Sequence, residues 1–553
     1  MPPKTKISKK QGPAKQAAAP PADPARFVPY ALLALVLVLF AYVRVSLLSF
    51  PLERDEGEYA YLGQLMLNGI APFKLAYNLK LPGTACMYAL SMAVFGQTKE
   101  GIRLGLLFFN LGSLVFLFFI GRKLFNSFVA VSAAAVCAVL SVNPVFLGQA
   151  AHATQFVTFY MLGGVFFLIR ALEKGGWHRY FISGLFLGLA LVMKQSGFFF
   201  AVFGGLIIAA DFFVLRKDPP WKSAFNLGLY GAGAALPLAL VFLAMFSSGV
   251  FEKFWFWTFI YPAVYATKVP VSAIFEQLSL NIPPLFAGFI WCWVLAGLGV
   301  PALFLRQEKP WSRFFLGLFA VFSLLPAVPG FYFRGHYFIP FIPALGLLAG
   351  LFLSTLNRWA GGFFKQAPRF TAALLVLALA AGLKNQADFY FKPDPLKLCS
   401  QYYHGNYFAE LTPVADYIRN NTAPQDTVMV FGSEPEIYFQ SGRKSATGYI
   451  YMYDLVYVHP YAEKMRREMM AEVEKSKPKY FISVLTHLSW LAKPGQVEPL
   501  LAWRSDYLRR NRYTQVGVIE LEPARYLWDR EALNYVSGAK WQVLIHKRDE
   551  GSR

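Results

Sequence analysis

Residues 27–48 read FVPYALLALVLVLFAYVRVSLL, in which Arg44 is the only charged side chain. An apolar run of this length is typical of a helix that spans a bilayer. It is longer than the apolar part of a signal peptide, and no convincing small-residue cleavage site follows it, so it predicts a retained spanning helix. This run therefore indicates a membrane protein.

The overall composition agrees with that interpretation. The chain has 553 residues, of which 56% are hydrophobic and 15% charged, with a mean hydropathy of +0.40. Soluble domains carry about 25% charged residues. The formal net charge of +21 comes mostly from Lys and Arg in short breaks between apolar runs. Such breaks are how membrane proteins fix their orientation, so nucleic acid is not an expected partner.

Ten further apolar runs follow the first, and together they predict eleven spanning helices. Residues 81–96 are apolar but too short to cross, which predicts an interfacial or re-entrant helix. The longer runs lie near 104–120, 128–147, 154–170, 180–193, 197–215, 225–246, 284–305, 314–329, 337–356 and 370–386.

The charged breaks predict the orientation of the chain. Residues 1–26 are rich in Lys, Pro and Ala and predict a disordered basic tail in the cytoplasm. Lys and Arg are much denser in the breaks that would then be cytoplasmic than in the outer ones. The first outer loop, residues 51–103, is expected outside the cytoplasmic (inner) membrane. An odd number of spans places residues 387–553 on the same outer side.

Residues 387–553 mix charged and apolar residues and predict a small extracytoplasmic α/β domain. Strands are expected at 427–432, 479–485, 513–520 and 541–548, and helices at 407–420 and 461–477.

RDEGEYAY, residues 54–61, places three carboxylates directly after the first span. Asp55, Glu56 and Glu58 suit the start of a helix, where carboxylates are favoured. Alternatively, one of them activates an acceptor hydroxyl as a general base, or binds a divalent metal together with a substrate phosphate. Both chemical roles require cations nearby.

Four such residues are predicted on the same outer face: Lys80, Lys194, Arg334 and His336. Together they are consistent with a phosphate site at the membrane interface. Taken singly, a lysine there also reaches toward lipid headgroups, and a lone histidine is more often structural. The outer loop 247–283 is rich in aromatic residues, which suits either a lid over a substrate or an interfacial aromatic belt.

Residues 54–105 resemble the first outer loop of bacterial members of the dolichyl-phosphate-mannose protein mannosyltransferase-like family, which has the GT-C fold. The family pattern has an Asp-Glu pair, a Gly-to-Pro-aromatic turn, a Lys-Pro-Pro segment, a short helix ending in Phe-Gly and an Arg that opens the next span. The counterparts here are Asp55-Glu56, residues 69–73, residues 80–82, Phe95-Gly96 and Arg103. Residues 334–350 and 435–451 are similar to later parts of the same family.

The resemblance implies that residues 27–386 form a membrane glycosyltransferase domain of inverting type with a polyprenyl-phosphate sugar as donor. Asp55 would be the base or the carboxylate that orients the acceptor, with Glu56 as its partner. Glu58 is expected to be solvated or a helix cap. The resemblance further implies that Lys80, Lys194, Arg334 and His336 hold the lipid phosphate, and that Tyr59, Arg103 and Tyr337 support the site.

One departure from the pattern concerns metal binding. Relatives that transfer aminoarabinose to lipid A carry an acidic residue just before the Lys of the Lys-Pro-Pro segment, and this position is Leu79 here. The pattern therefore does not predict a metal site shared between such an acid and a late His, and a divalent metal ion is left open as a cofactor. The sugar (a hexose or a pentose) and the acceptor (a protein, a lipid or a glycan) are open. A transporter or flippase of lipid-linked substrates is the alternative function.

Overall fold

The computed structural model describes residues 24–215, 219–305, 308–391, 393–493 and 495–549. Residues 1–23 of the predicted basic tail lie outside the described residues. From Val28 to Asn385 the described chain is almost entirely helical. Its α-helices are α1 (Val28–Ser46), α2 (Arg54–Leu67), α3 (Gly83–Phe95), α4 (Lys99–Leu124), α5 (Ser127–Leu140), α6 (Ala153–Lys174), α7 (Trp177–Met193), α8 (Phe198–Ala210), α9 (Pro220–Ser247), α10 (Phe251–Trp255), α11 (Tyr261–Ala266), α12 (Ile274–Asn281), α13 (Pro283–Phe286), α14 (Ile290–Ala302), α15 (Pro310–Leu324), α16 (Ile342–Gly361) and α17 (Ala367–Asn385).

Each of the eleven predicted spans coincides with a helix of the structure. Among the described residues, eight helical segments are long and apolar enough to cross a membrane, or nine if the bent pair of segments ending in α14 is one span. That pair bends by 106° between Phe286 and Ile290. The two remaining predicted spans are α5 and α7, which are apolar but shorter. The structure thus confirms a membrane protein with many spans, while the number eleven stays a prediction.

The first outer loop contains two helices, and both are fixed by packing. The N-terminus of α3 lies so close to the end of α7 that a Cβ on Gly83 would be 2.4 Å from the carbonyl oxygen of Val192. Helix α3 is apolar and has 13 residues, which is the length expected for a helix that does not cross the membrane. Helix α2 lies between α3 and the C-terminal part of the chain.

Among its described residues, the C-terminal part contains eight helices and a six-stranded sheet. The helices are α18 (Ala387–Phe391), α19 (Pro395–Tyr402), α20 (Thr412–Asn420), α21 (Glu436–Ser441), α22 (Tyr453–Val456), α23 (Ala462–Ser476), α24 (His487–Trp490) and α25 (Glu498–Arg510). The strands are β1 (Thr427–Phe431), β2 (Lys444–Ser445), β3 (Tyr480–Leu485), β4 (Tyr513–Leu521), β5 (Ala524–Trp528) and β6 (Gln542–Arg548). Their order is β2-β1-β3-β6-β4-β5, with β1 parallel to β2 and β3 and the remaining pairs antiparallel.

All four predicted strands are present in this sheet, and both predicted helices are found as α20 and α23. Strands β2 and β5 are additional. Because β1 and β3 are parallel, their carboxyl ends open at the same edge, and that edge faces α2.

The aromatic outer segment joins the two parts of the molecule. Phe254, Trp257 and Tyr261 are fully buried. Trp257 stacks on Tyr77 of the first outer loop, with ring centroids 5.4 Å apart, and contacts the edge of Tyr449. The core of this segment is therefore an interface between helices and sheet domain, and neither a free lid nor an exposed belt.

Candidate active site

Helix α2 begins with a capping box that uses two of its acidic residues. The Glu53 carboxylate accepts a hydrogen bond of 2.9 Å from the backbone N–H of Glu56, and the Glu56 carboxylate accepts one of 3.4 Å from the N–H of Glu53. This reciprocal arrangement satisfies donors that a helix N-terminus leaves unpaired. The predicted helix cap is thus real, but Asp55 takes no part in it.

Asp55 points away from the helix axis into a cluster of basic side chains. Its Oδ2 lies 3.7 Å from Lys80 Nζ and 3.7 Å from His152 Nδ1, and its side chain is 30% exposed. No described residue donates a hydrogen bond to this carboxylate. Burial alone would raise the pKa of Asp55, but Lys80, His152, Arg334 and Lys194 together lower it to about 2. The carboxylate is therefore ionised and available.

Glu56 is fully buried, and beyond the capping box two residues donate three hydrogen bonds to its carboxylate. Arg103 donates to it through Nη2 at 2.7 Å and through Nε at 3.3 Å. The backbone N–H of Ala151 donates a further hydrogen bond of 2.8 Å. Such a buried and fully paired carboxylate ties α2 to α4 and to the segment before α6.

Glu58 is buried, so the expectation that it is solvated or a helix cap is wrong. It lies one turn beyond Asp55, and its Oε2 is 3.3 Å from Lys80 Nζ. The hydroxyl of Tyr451, from the sheet domain, donates to the same oxygen at 3.4 Å. Burial raises the pKa of Glu58 to about 7, with Lys80 acting in the opposite direction. The sequence did not predict the burial of Glu58, because the residue that covers it, Tyr451, is far along the chain.

Lys80 and Lys194 are held on neighbouring loops. The side chain of Gln195 donates a hydrogen bond of 2.7 Å to the carbonyl oxygen of Leu79, which joins the two loops. Lys80 lies between the carboxylates of Asp55 and Glu58 and over the ring of Tyr59, 4.5 Å from its centroid. Its positive charge is thus already compensated.

Lys194 and Arg334 differ from Lys80 because neither has an ion-pair partner among the described residues. Lys194 Nζ lies 4.0 Å from the ring centroid of Tyr337, and Arg334 lies over Tyr332 at 5.1 Å. Burial, together with the charges of Lys80 and Arg334, lowers the pKa of Lys194 to about 7. These two cations are the ones best placed to receive an anion.

His152 and His336 form a stacked pair beside Asp55. Their ring centroids are 4.3 Å apart and their planes differ by 5°. Both rings are buried, and neither His152 Nε2 nor His336 Nδ1 has a hydrogen-bond partner in the described structure. Ligand atoms of Asp55, His152 and His336 all lie within 4.8 Å of one another. One carboxylate and two imidazoles with unpaired nitrogens fit a divalent metal ion.

The structure brings together all the site residues expected from the sequence, in three groups. Asp55, Lys80, Lys194, Arg334 and His336 line one site. Tyr59 and Tyr337 contact two of its lysines. Glu56 and Arg103 form a buried ion pair between α2 and α4.

Sequence reasoning missed His152, Gln195 and Tyr451. His152 stands in the short outer break 148–153, where its place beside His336 could have been suspected only from the predicted topology.

Comparisons with known proteins agree with the fold. Residues 80–251 match the family described as dolichyl-phosphate-mannose-protein mannosyltransferase. No curated protein matches the sequence.

Two solved structures share the architecture. ArnT from Cupriavidus metallidurans bound to undecaprenyl phosphate is 14% identical, with a TM-score of 0.58 over 96% of this chain and 100% of that chain. The archaeal oligosaccharyltransferase AglB from Archaeoglobus fulgidus, in complex with an inhibitory peptide and a dolichol-phosphate, is 13% identical, with a TM-score of 0.55 over 92% of this chain and 75% of that chain. At such identities the likeness is one of fold.

Proposed function

Since this chain has the GT-C glycosyltransferase fold, we propose that it is an inverting glycosyltransferase that moves a sugar from a polyprenyl-phosphate donor to an acceptor hydroxyl. The reaction would take place on the outer face of the cytoplasmic membrane. One observation carries the proposal: the Asp55 carboxylate has no hydrogen-bond partner among the described residues and lies beside a group of cations, two of which lack a counter-charge.

The donor phosphate would bind to Lys194 and Arg334. A polyprenyl chain stays in the bilayer, so its phosphate must be met at the interface by cations. Lys194 lies directly after α7 and Arg334 directly before the helical segment Gly335–Gly361. ArnT was solved with bound undecaprenyl phosphate and AglB with a dolichol-phosphate, which supports a lipid phosphate here.

Asp55 would act on the acceptor hydroxyl. The acceptor oxygen forms a bond to C1 of the sugar from the face opposite the phosphate, and the bond from C1 to the phosphate oxygen breaks. The polyprenyl phosphate leaves with the electron pair, and the acceptor proton passes to Asp55. Lys194 and Arg334 stabilise the charge on the leaving group.

Donor binding would also make Asp55 a better base. In the absence of donor, the neighbouring cations keep the pKa of Asp55 near 2, which is far below the pH at which a general base works best. An anionic phosphate bound to Lys194 and Arg334 offsets part of their field. The pKa of Asp55 then rises, so the carboxylate gains basicity when the sugar is in place.

Asp55, His152 and His336 would hold a divalent metal if one is used. A metal ion there would supply a Lewis acid beside the acceptor oxygen or the phosphate. With or without it, Asp55 orients the acceptor and accepts its proton, and the two histidines fill the space behind it.

The test is a transfer assay with the purified protein in lipid vesicles. A panel of radiolabelled polyprenyl-phosphate hexoses and pentoses is offered with protein, lipid and glycan acceptors, and Asp55→Asn is the matched control. We expect the wild type to move label from at least one donor to an acceptor. If label only crosses the bilayer and stays on the lipid, the protein is a flippase and the proposal is wrong.

A further inference from the structure

Arg54, the residue before Asp55, has its side-chain partners in the sheet domain, whereas those of Asp55 lie in the helical part of the chain. Its guanidinium enters the sheet domain, where its side chain is only 15% exposed. Nε donates to the carbonyl oxygen of Ser433 at 2.5 Å, Nη1 to Asn406 Oδ1 at 3.0 Å and Nη2 to Glu434 Oε1 at 3.0 Å. The guanidinium also lies 5.5 Å from the ring centroid of Phe408. A planar group with this many fixed partners has one possible orientation.

The partners of Arg54 are themselves fixed. The second oxygen of Glu434 accepts a hydrogen bond of 2.7 Å from Ser489 Oγ, and Ser489 Oγ accepts one of 3.0 Å from the N–H of Ser433. Ser433 Oγ accepts another from the N–H of Met452 at 3.0 Å. Ser433 and Glu434 follow the carboxyl end of β1 and Ser489 follows that of β3, so the parallel part of the sheet sets the positions of these three residues. We call this group, Asn406, Ser433, Glu434 and Ser489, the Arg54 socket.

The sheet domain touches α2 at three places around Asp55. Tyr451 donates a hydrogen bond of 3.1 Å to the carbonyl oxygen of Arg54 and also contacts Glu58. A Cβ on Gly57 would lie 2.6 Å from the backbone nitrogen of Glu436. Asp55 itself makes only contacts of 3.7 Å and receives no hydrogen bond from a described residue. Its direction is therefore fixed by its backbone rather than by its own side chain.

We propose that Arg54 is a positioning residue, which by binding the socket pins the first turn of α2 and so directs the Asp55 carboxylate toward His152 and Lys80. The proposal rests on the proposed function, because direction matters only if Asp55 acts on a substrate. It assigns the sheet domain a part in the reaction without any contact between that domain's socket and the substrate.

The variants are Arg54→Ala, Arg54→Lys and Glu434→Gln, with Lys74→Ala as the control. Lys keeps the charge of Arg but loses the planar fork, and Gln keeps an acceptor oxygen for Arg54. Lys74 is an exposed cation of the same outer loop. For each variant, kcat, the donor KM, the separate affinity for undecaprenyl phosphate and the thermal midpoint are measured.

We expect Arg54→Ala to lower kcat by about 100-fold, the effect of a displacement of roughly 1 Å in an active site. Undecaprenyl phosphate affinity should stay within about twofold, because Lys194 and Arg334 lie on other elements. The kcat of Arg54→Lys should lie between those of Arg54→Ala and the wild type. The double variant Arg54→Ala/Glu434→Gln should be no slower than Arg54→Ala alone, since both changes act on the same interaction, which Arg54→Ala already removes.

A kcat of Arg54→Ala equal to that of the wild type would overturn the proposal. A lower kcat would also overturn it if the loss were fully explained by less folded protein or by weaker binding of undecaprenyl phosphate. If the wild type itself moved no sugar, the proposed function would fail separately. In that case, backbone hydrogen exchange of residues 54–58 still tests whether Arg54 pins the first turn of α2. Faster exchange in Arg54→Lys than in Lys74→Ala supports this role of Arg54, and equal exchange overturns it.

Discussion

Four acidic residues lie at the start of α2, and each has different surroundings. Glu53 caps the helix and Glu56 is locked to Arg103. Glu58 is covered by Tyr451, whereas Asp55 alone remains partly exposed and without a donor among the described residues. Because acid–base and metal chemistry require an ionised group that lies near cations and is free of hydrogen-bond donors, the geometry selects Asp55 among residues of the same type.

We expect Asp55→Asn to reduce the transfer rate by at least about 100-fold, the lower range for loss of a general base. The substitution keeps the size of the side chain and removes only its charge, so the thermal midpoint should change little. Glu100→Gln, at a half-exposed position near the start of α4, is the control and should transfer normally. A normal rate in Asp55→Asn would leave the carboxylate without a catalytic role.

The lowered pKa of Lys194 predicts that donor binding depends on pH. Its pKa is lowered to about 7, so the free protein carries this charge below pH 7 and loses it above. The proposed donor is a phosphodiester, whose charge is constant over this pH range, and its bound phosphate would favour protonated Lys194. Donor affinity should therefore be highest below pH 7 and fall above it, by roughly tenfold for the loss of one charge-assisted contact.

Lys194→Arg keeps its charge at every pH used and should make the affinity nearly constant between pH 6 and pH 8.5. Affinity is measured with a non-transferable polyprenyl-phosphate sugar analogue. A wild-type affinity that rises with pH would contradict this assignment.

At the scale of helices and strands, the sequence predicted what depends on local pattern. Apolar runs located α1, α4, α6 and the other spans, and short runs rich in β-branched and aromatic residues located β1, β3, β4 and β6. The two-residue strand β2 has too short a pattern to be found. The count of spans depends on helices such as α5 and α7, whose lengths are close to the limit for crossing a bilayer.

The candidate site could be predicted only in part for a related reason. Asp55, Lys80 and Arg334 are polar residues at the ends of apolar runs, and the predicted topology places them on one face. The stacking of His152 on His336 and the cover of Glu58 by Tyr451 arise from residues far apart in the chain. No local pattern contains that information.

The contact between α2 and α21 gives a prediction at this scale. Adding a methyl group at Gly57 would put a carbon 2.6 Å from the backbone of Glu436, and backbone cannot move aside as a side chain does. We expect Gly57→Ala to destabilise the protein by about 1 to 3 kcal/mol, the usual cost of overpacking, and to slow transfer.

Gly228→Ala in α9 is the matched control, because nothing lies within 4 Å of the added carbon. Thermal unfolding of both variants is compared with that of the wild type. An unchanged midpoint in Gly57→Ala would show that α2 does not rest on α21.

For the whole molecule, the orientation in the membrane is the main open expectation. The charge bias places the sheet domain outside the cytoplasm and the break at residues 170–179 inside. Val536 is 89% exposed on the sheet domain and Lys174 is exposed at the end of α6. Of the four native cysteines, Cys137, Cys292 and Cys399 are buried and Cys86 is partly exposed, so the labelling of introduced cysteines is measured against that of the unaltered protein.

In intact cells whose outer barrier has been opened, Val536→Cys should react with a membrane-impermeant maleimide, and Lys174→Cys should react only after the cytoplasmic membrane is broken. Labelling of both positions from the same side would overturn the predicted topology.

Arg54 is one of the first residues to emerge after the opening span, yet the residues that hold it are 352 to 380 positions further along the chain. On the predicted topology, the helix that carries Asp55 reaches the outer face of the membrane long before its anchor is synthesised. A chain that ends before residue 406 lacks all four residues of the socket and also Tyr451, whose hydroxyl donates to the carbonyl oxygen of Arg54. On the role proposed for Arg54, such an unfinished chain transfers sugar more slowly than a chain that carries the socket, so activity depends on translation having passed these residues.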